Sequence, residues 1–331
     1  LNPNVHYHEV HVPEYPLFHY QPYELALPSK LVDMVKLYKI DVLHVHYAIP
    51  HAYAGYMAKQ MLADEGIHIP MVTTLHGTDI TLVGNHPFYK PAVSFSINKS
   101  DVVTSVSQSL KDDTYRLFDI KNEIEVIPNF IELNKEKLKD NIPCHRSLMA
   151  PDNEKIITHI SNFRKVKRIE DIVRIFYEIQ KEVPSKLMMV GEGPEKEGAE
   201  QLCEQLGIQN KVIFFGNSNE IDKILCFSDL FLLPSETESF GLAALEAMAC
   251  CVPVISSNSG GLPEVNKDDF SGYLSDVGDV AKMSRDAISL LKDEYKLAQF
   301  KVNALETAKL FDIQNIMPLY EQVYFKALNS K

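Results

Sequence analysis

Short apolar runs recur along this chain, with amphipathic stretches between them. In the first half, "DVLHVHY" (41–47), "MVTTLH" (71–76), "DVVTSVS" (101–107) and "IEVIPN" (124–129) each read as a buried strand. Strands that are apolar on both faces, alternating with helical patterns, predict a parallel sheet covered by helices. The stretch 134–155 is charged, contains Pro143 and Pro151, and breaks the rhythm as a linker would. Beyond it the pattern resumes with "IITHIS" (156–161), "KLMMVGEG" (186–193), "KVIFFG" (211–216), "DLFLLPS" (229–235) and "VPVISS" (252–257). The predicted fold is therefore α/β: two Rossmann-like, doubly wound parallel-sheet domains facing a cleft, with ligands beyond the carboxyl ends of the strands. Residues 1–145 form the first domain and 146–312 the second. Residues 313–331 hold a last helix, "IMPLYEQVYFKAL" (316–328), whose apolar stripe is expected to pack back toward the first domain. No internal repeat appears beyond this alternation.

Composition sharpens the picture. A length of 331 residues, 45% hydrophobic and 24% charged, suits a soluble two-domain enzyme. The net charge of −12 argues against a nucleic-acid or anionic-membrane surface, so an anionic ligand must be held by a local cationic cluster. Five scattered cysteines do not form a disulfide framework, which favours a reducing cytoplasm. No apolar run is long enough to span a bilayer. The chain opens "LNPNVHYHEV" without a Met, so an N-terminal segment is expected to be missing, and a signal peptide stays open.

The richest chemistry lies in "SETESFGLAALEAMACCVPVI" (235–255). A strand ends, a turn follows, and helix formers run from Phe240 to Cys250, with Ser239 as the expected N-cap. The amides of Phe240, Gly241 and Leu242 would then point at an anion, aided by the helix dipole, and Gly241 leaves room for close approach. Glu238 and Glu246 stand eight positions apart, about two turns, on one broad side. Ionised carboxylates accept hydrogen bonds from sugar hydroxyls, so the pair suits a ligand carrying hydroxyls next to phosphate. The plainer alternative is an acidic helix start that serves the dipole alone.

Three further clusters bear on that choice. "SNFRKVKR" (161–168) places Arg164, Lys165, Lys167 and Arg168 after a strand, where they could neutralise a departing pyrophosphate or simply form a solvated basic loop. "VGEGPE" (190–195) offers Gly191 and Gly193 as a nucleotide-facing turn, a weak signal alone. "TTLHGTDIT" (73–81) sets His76 and Thr78 past a strand end, with a structural turn histidine as the alternative. In "HVHYAIPH" (44–51), His44 and His46 share a strand face, but no third ligand has metal-binding spacing, and Tyr47 and His51 read as cleft-lining groups.

Together, Glu238 to Glu246 in "ESFGLAALEAMA", the "GGLPEV" turn (260–265), "GEGPE" and "HGTD" resemble the retaining glycosyltransferases of family 4, which have the GT-B fold. The resemblance covers essentially the whole chain. "HVHYAIPHA", "TTLHGTDIT" and "HISNFRKVKR" further resemble the branch that glycosylates L-malate from UDP-N-acetylglucosamine, the first step of bacillithiol biosynthesis. By motif position the resemblance implies that Glu238 bonds the donor sugar, the amides from Phe240 to Leu242 meet sugar and phosphate, and Glu246 holds the ribose. It implies Arg164 and Lys167 at the diphosphate, His76 at an outer sugar hydroxyl, and Tyr47, Thr78 and Asn129 on the malate side. No metal or cofactor is implied, the UDP-sugar being a substrate; a homo-oligomer is a possible assembly. Ser161 and Asn162 stand where the family often has Gly-Arg, which moves the phosphate arginine to Arg164. The family's first strand and Gly-rich loop are absent. At Cys251 the family usually has Gly, as a left-handed helix end requires.

The expected reaction breaks the anomeric bond through an oxocarbenium-like state, with cations and helix amides stabilising the departing diphosphate. No carboxylate stands out as a covalent nucleophile, which favours same-face attack, the leaving phosphate oxygen deprotonating malate. Three alternatives are a different family 4 acceptor, a nucleotide-sugar epimerase, which needs no malate, and a two-domain solute-binding protein, which releases no UDP. A dinucleotide dehydrogenase is disfavoured because no G-x-G-x-x-G opens a strand-turn-helix.

Overall fold

The computed structural model describes residues 3–12, 14, 20–133, 146, 150 and 154–329. The chain divides into two compact units, Leu1–Ile127 with Met317–Lys331, and Pro128–Ile316. The expected linker, Pro143 and Pro151 included, lies outside the described residues except for Arg146, Ala150, Glu154 and Lys155. The expected boundary at 145/146 falls within that stretch.

The first unit holds a four-stranded parallel sheet in the order β1 (Leu43–His46), β2 (Met71–Leu75), β3 (Val102–Ser105), β4 (Ile124–Val126). Every residue of β2 and β3 is buried, which is why these strands read as continuous apolar or small-residue runs rather than as alternation. Helices Tyr23–Tyr38 and Tyr53–Asp64 close a core of Val32, Val35, Leu43, Val45, Leu62 and Met71. The end of the last helix (Ile313–Asn329) belongs to this unit, where Tyr320 is buried and the Tyr324 hydroxyl lies 2.8 Å from His44 Nδ1.

The second unit has six parallel strands in the order β10-β9-β8-β5-β6-β7. They are β5 (Lys155–Ile160), β6 (Ser185–Val190), β7 (Val212–Gly216), β8 (Leu230–Leu233), β9 (Val254–Ser257) and β10 (Gly272–Ser275). The edge strand β10 is additional to the sequence reading: its "GYLS" is buried only at its two ends and carries no apolar run. Strand order reverses between β5 and β8, so the loops leaving those two strands flank a topological switch point, the usual place for a ligand. The helix Ile169–Glu182 shows why the sheet is covered. Ile169, Ile172, Val173, Ile175, Phe176 and Ile179 make one buried face, each worth about 1.5–3 kcal/mol of apolar burial, while Glu170 and Asp171 meet its positive end and Lys181 its negative end.

Candidate active site

In the second unit, three loops leave the carboxyl ends of β5, β8 and β9 and bind one another. The Ser257 hydroxyl donates to the Ser235 carbonyl (2.5 Å) and the Ser259 hydroxyl to the Glu236 carbonyl (2.7 Å). The Gly261 amide donates to the Glu238 carbonyl and the Glu236 amide to the Val166 carbonyl, each at 2.8 Å. The "GG" of the "GGLPEV" turn has a steric cause. A Cβ on Gly260, which sits at φ 59°, would lie 2.0 Å from the Glu238 carbonyl oxygen, and one on Gly261 would lie 2.4 Å from that of Ser239. These contacts hold Glu238 in place.

Glu238 Oε1 accepts from the Ser235 hydroxyl at 2.9 Å and from Lys167 Nζ in an ion pair whose side chains are 14% and 20% exposed. Both bonds fall on Oε1, so Oε2 still has lone pairs for a ligand hydroxyl. The basic loop is less uniform than its sequence. Lys165–Lys167 form a 3₁₀ turn, and Arg168 takes a left-handed conformation (φ 53°) and turns its Nε to Asp171 Oδ2 at 2.5 Å. Arg164 and Lys165 are exposed, and their side-chain nitrogens have no partner among the described residues.

The helix after β8 begins later than its composition predicts. It spans Leu242–Ala249, and its cap is Gly241 at φ 96°, not Ser239. A Cβ at Gly241 would lie 2.6 Å from Leu262 Cδ2, so the glycine is required by conformation and by space at once. Neither glutamate occupies the first turn: Glu238 precedes the cap and Glu246 lies in the second turn. The reading of an acidic helix start serving the dipole is thereby removed. The Phe240 side chain is buried edge-to-face against Phe311, with centroids 5.6 Å apart, which leaves only its backbone to a ligand. Among the described residues, the amides of Phe240, Gly241 and Leu242 meet no acceptor, as expected of a helix start. Glu246 is half-buried, its carboxylate makes no hydrogen bond with a described residue, and burial followed by the nearby Asp222 charge raises its pKa.

Gly191 and Gly193 serve the neighbouring loop. A Cβ on Gly191 (φ 130°) would lie 1.8 Å from the Ser161 carbonyl oxygen, and one on Gly193 would lie 2.5 Å from that of Phe163. The two loops are laced by Phe163 N to Glu192 O at 3.0 Å and Glu195 N to Phe163 O at 2.9 Å. Beneath them His159 is fully buried, with Nδ1 donating to the Leu232 carbonyl (2.8 Å) and Nε2 accepting from the Ser161 hydroxyl (2.7 Å). Desolvation holds its pKa down at about 4. Asn129 also belongs to this unit, between β4 and the Ile131–Asp312 bridge, half-buried and without a hydrogen bond to a described residue.

In the first unit, histidines gather at the carboxyl ends of β1 and β2. His46 Nδ1 lies 2.8 Å from His76 Nε2, while His44 Nε2 lies 2.8 Å from the Thr74 hydroxyl. Burial, followed by the neighbouring histidine charges, lowers the pKa of His44 and of His76 to about 4, so both are neutral imidazoles near pH 7. Asp79 organises the turn. Its carboxylate is buried and accepts from the amides of Ala48 (2.7 Å), Gly77 (2.9 Å) and His76 (3.3 Å), and burial nonetheless raises its pKa. Tyr47 (φ 76°) packs its ring 4.8 Å from that of His76. Tyr47 and Thr78 line a cavity of about 620 Å³ with Tyr53, Val83, Tyr89 and Glu24. Among the described residues no group of three His, Cys, Asp or Glu side chains is arranged to hold a metal, and no helix is long and apolar enough to cross a membrane.

Two family matches divide the chain as its sheets do. Residues 1–135 match Glycosyltransferase Family 4, and residues 143–307 match Glycosyl transferases group 1. The N-acetyl-alpha-D-glucosaminyl L-malate synthase of Bacillus anthracis is 44% identical over 98% of this chain and 85% of its own length. The chain is a family 4 glycosyltransferase. An uncharacterised glycosyltransferase of Methanocaldococcus jannaschii is 31% identical over 74% of the chain and 64% of its own length. Sucrose-phosphate synthase of Thermosynechococcus elongatus superposes with a TM-score of 0.77 at 22% identity, over 96% of this chain and 82% of that one. Anabaena HepE in complex with UDP-glucose also gives 0.77, at 20% identity over 92% and 84%. These neighbours establish the GT-B fold of the glycosyltransferase. Its sequence left three supporting groups without a role: Ser235 and Gly260, which fix Glu238, and Asp79, which shapes the His76 turn. Of these Gly260 carried a signal as half of a conspicuous "GG" and Asp79 as the end of "HGTD", while Ser235 carried none.

Proposed function

We propose that this glycosyltransferase moves N-acetylglucosamine from UDP-N-acetylglucosamine to the hydroxyl of L-malate, opening bacillithiol biosynthesis, with retention at the anomeric carbon and without a metal. The observation that carries the reading is the 44% identity, over 98% of this chain and 85% of the relative, to a protein whose name specifies this product. The loop chemistry supports a nucleotide-sugar donor. Glu238 Oε2, which takes neither of the bonds from Ser235 and Lys167, can accept from a sugar hydroxyl, and Glu246, half-buried and without a partner among the described residues, is suited to a ribose diol. Lys167 has three donors, so it can keep Glu238 and still reach a phosphate, while Arg164 has its full fork to offer. The amides from Phe240 to Leu242 complete the diphosphate site, with Ser239 beside them.

Gly191 and Gly193 act on the donor through the loop they admit, since their bare Cα faces Ser161 and Phe163. As the anomeric bond lengthens, charge grows on the departing diphosphate, where these cations and amides act most strongly. His76 is neutral and can share one hydrogen bond with an outer sugar hydroxyl. Tyr47, Thr78 and Asn129 are assigned to the acceptor. Among the described residues no lysine or arginine lines the cavity beside Tyr47, so the two carboxylates of malate are assigned cations outside that lining. The test is UDP release from UDP-N-acetylglucosamine with and without L-malate, the product's anomeric configuration being read by NMR. Malate-dependent release of an α-configured product is expected. Release without malate, no release, or inverted product refutes the proposal.

A further inference from the structure

Three cysteines of the second unit meet where two helices end. Cys226 follows the helix Ile221–Leu225 and is exposed, while Cys250 and Cys251 follow the helix Leu242–Ala249. The two helix ends share one acceptor: the Asp222 carbonyl takes the Cys226 amide at 3.0 Å and the Cys250 thiol at 3.9 Å. Cys251 is held differently, at φ 59°, and Cys203 is buried in the core among Leu202 and Ile208.

We propose that Cys226 and Cys250 form a thiol–disulfide exchange site for small-molecule disulfides, Cys226 being the thiol that reacts first and Cys250 the one that resolves the adduct. The neighbouring Cys250 thiol lowers the Cys226 pKa to about 7, while Cys226 and burial raise that of Cys250, so the exposed thiol is the one ionised near neutrality. The Cys226 thiolate attacks one sulfur of R–S–S–R. A Cys226–S–SR bond forms, the R–S–S–R bond breaks, and RS⁻ leaves and takes up a proton. Cys250 then loses its proton and attacks the Cys226 sulfur, expelling the second RS⁻. Two protein thiols are oxidised by two electrons, and the disulfide is reduced to two RSH. The bond would tie together the ends of the two helices, one of which carries Glu246 a turn before Cys250.

The test treats the full chain with oxidised glutathione near neutral pH, followed by peptide mass mapping with and without reductant. The expected result is a Cys226–Cys250 crosslink, two hydrogens lighter than the free peptides and removed by dithiothreitol, with Cys203 unmodified. In Cys250→Ser, a glutathione adduct should accumulate on Cys226, whereas in Cys226→Ser, Cys250 should stay free. A crosslink through Cys251, preferential adduct at Cys250, or unmodified Cys226 in both the parent and Cys250→Ser overturns the assignment.

Discussion

Replacing Glu238 by Gln keeps the shape of the side chain and removes its charge. Two consequences can be separated. The Lys167 ammonium, one-fifth exposed, loses the carboxylate it pairs with. An exposed pair is worth about 0–1 kcal/mol and breaking a fully buried one costs about 3–5, so this intermediate pair should cost ~1–2 kcal/mol of stability. Catalysis should suffer through the other oxygen. A hydrogen bond to a charged acceptor contributes about 1.5–3 kcal/mol, and each 1.36 kcal/mol is tenfold in rate, so kcat/KM should fall roughly 10- to 150-fold. The assay is steady-state UDP release at saturating L-malate, run well below the variant's unfolding temperature, with UDP binding measured separately by calorimetry. UDP lacks the sugar, so its affinity should not fall in Glu238→Gln, and the positive charge released at Lys167 should if anything raise it. Full kcat/KM in the variant refutes the donor-sugar role. An equal loss of UDP affinity and of kcat/KM would mean that the loop has collapsed and that Glu238 is structural.

Three other outcomes follow from the same geometry. His159, neutral and fully buried with a pKa of about 4, favours the fold fully above its unfolded value of about 6.5, and this contribution is lost as the pH falls from there toward 4. Between about pH 7.5 and pH 5 the loss is ~2 kcal/mol, so urea unfolding of His159→Gln should show that much less acid sensitivity than the parent, and equal sensitivity rejects the assignment. Cys251 occupies a left-handed conformation (φ 59°) that costs a side chain about 1–2 kcal/mol, against about 0.5–1 kcal/mol of extra chain entropy for glycine. Cys251→Gly should therefore raise the thermal midpoint slightly, and a lower midpoint would show that the thiol packs better than the strain costs. Asp79→Asn keeps one acceptor oxygen and turns its NH2 either toward the amide of Ala48 or toward those of Gly77 and His76. Leaving such donors unmet costs about 1–3 kcal/mol, and an unchanged denaturation midpoint would contradict that account.

The fold was legible where burial is two-sided. β2, β3, β8 and β9 are buried at every position, and their apolar or small-residue runs announce a parallel sheet without ambiguity. β10 was not legible, because an edge strand ending on glycine and serine has no periodicity to show. The helix start was misplaced by two residues for a related reason: helix formers run back to Phe240, and nothing in composition says that Gly241 must be left-handed and must clear Leu262. The eight-residue spacing of Glu238 and Glu246 could be read from the chain. The Lys167–Glu238 pair could not, since 71 positions separate its members and only the β5–β8 adjacency brings their loops together.

That pairing changes what the basic loop can do for a diphosphate. Counted from sequence, Arg164, Lys165, Lys167 and Arg168 present four positive charges. In the fold, Asp171 holds Arg168 and Glu238 holds Lys167, so the cluster with its two carboxylates carries a net charge of about two. The bridging diphosphate of a UDP-sugar carries two negative charges and gains further charge as the sugar departs. On the proposed reading, the loop balances the bound donor without over-binding it, and the added charge falls to the amides from Phe240 to Leu242, which among the described residues have no other acceptor. Neutralising Arg164, one of the two cations whose side chain has no partner among the described residues, should then weaken UDP binding and kcat/KM together. Loss of the helix-start geometry, as in Gly241→Ala, should lower kcat more than it weakens UDP binding. If both variants lost only UDP affinity, the amides would be holding the ground state rather than the leaving group.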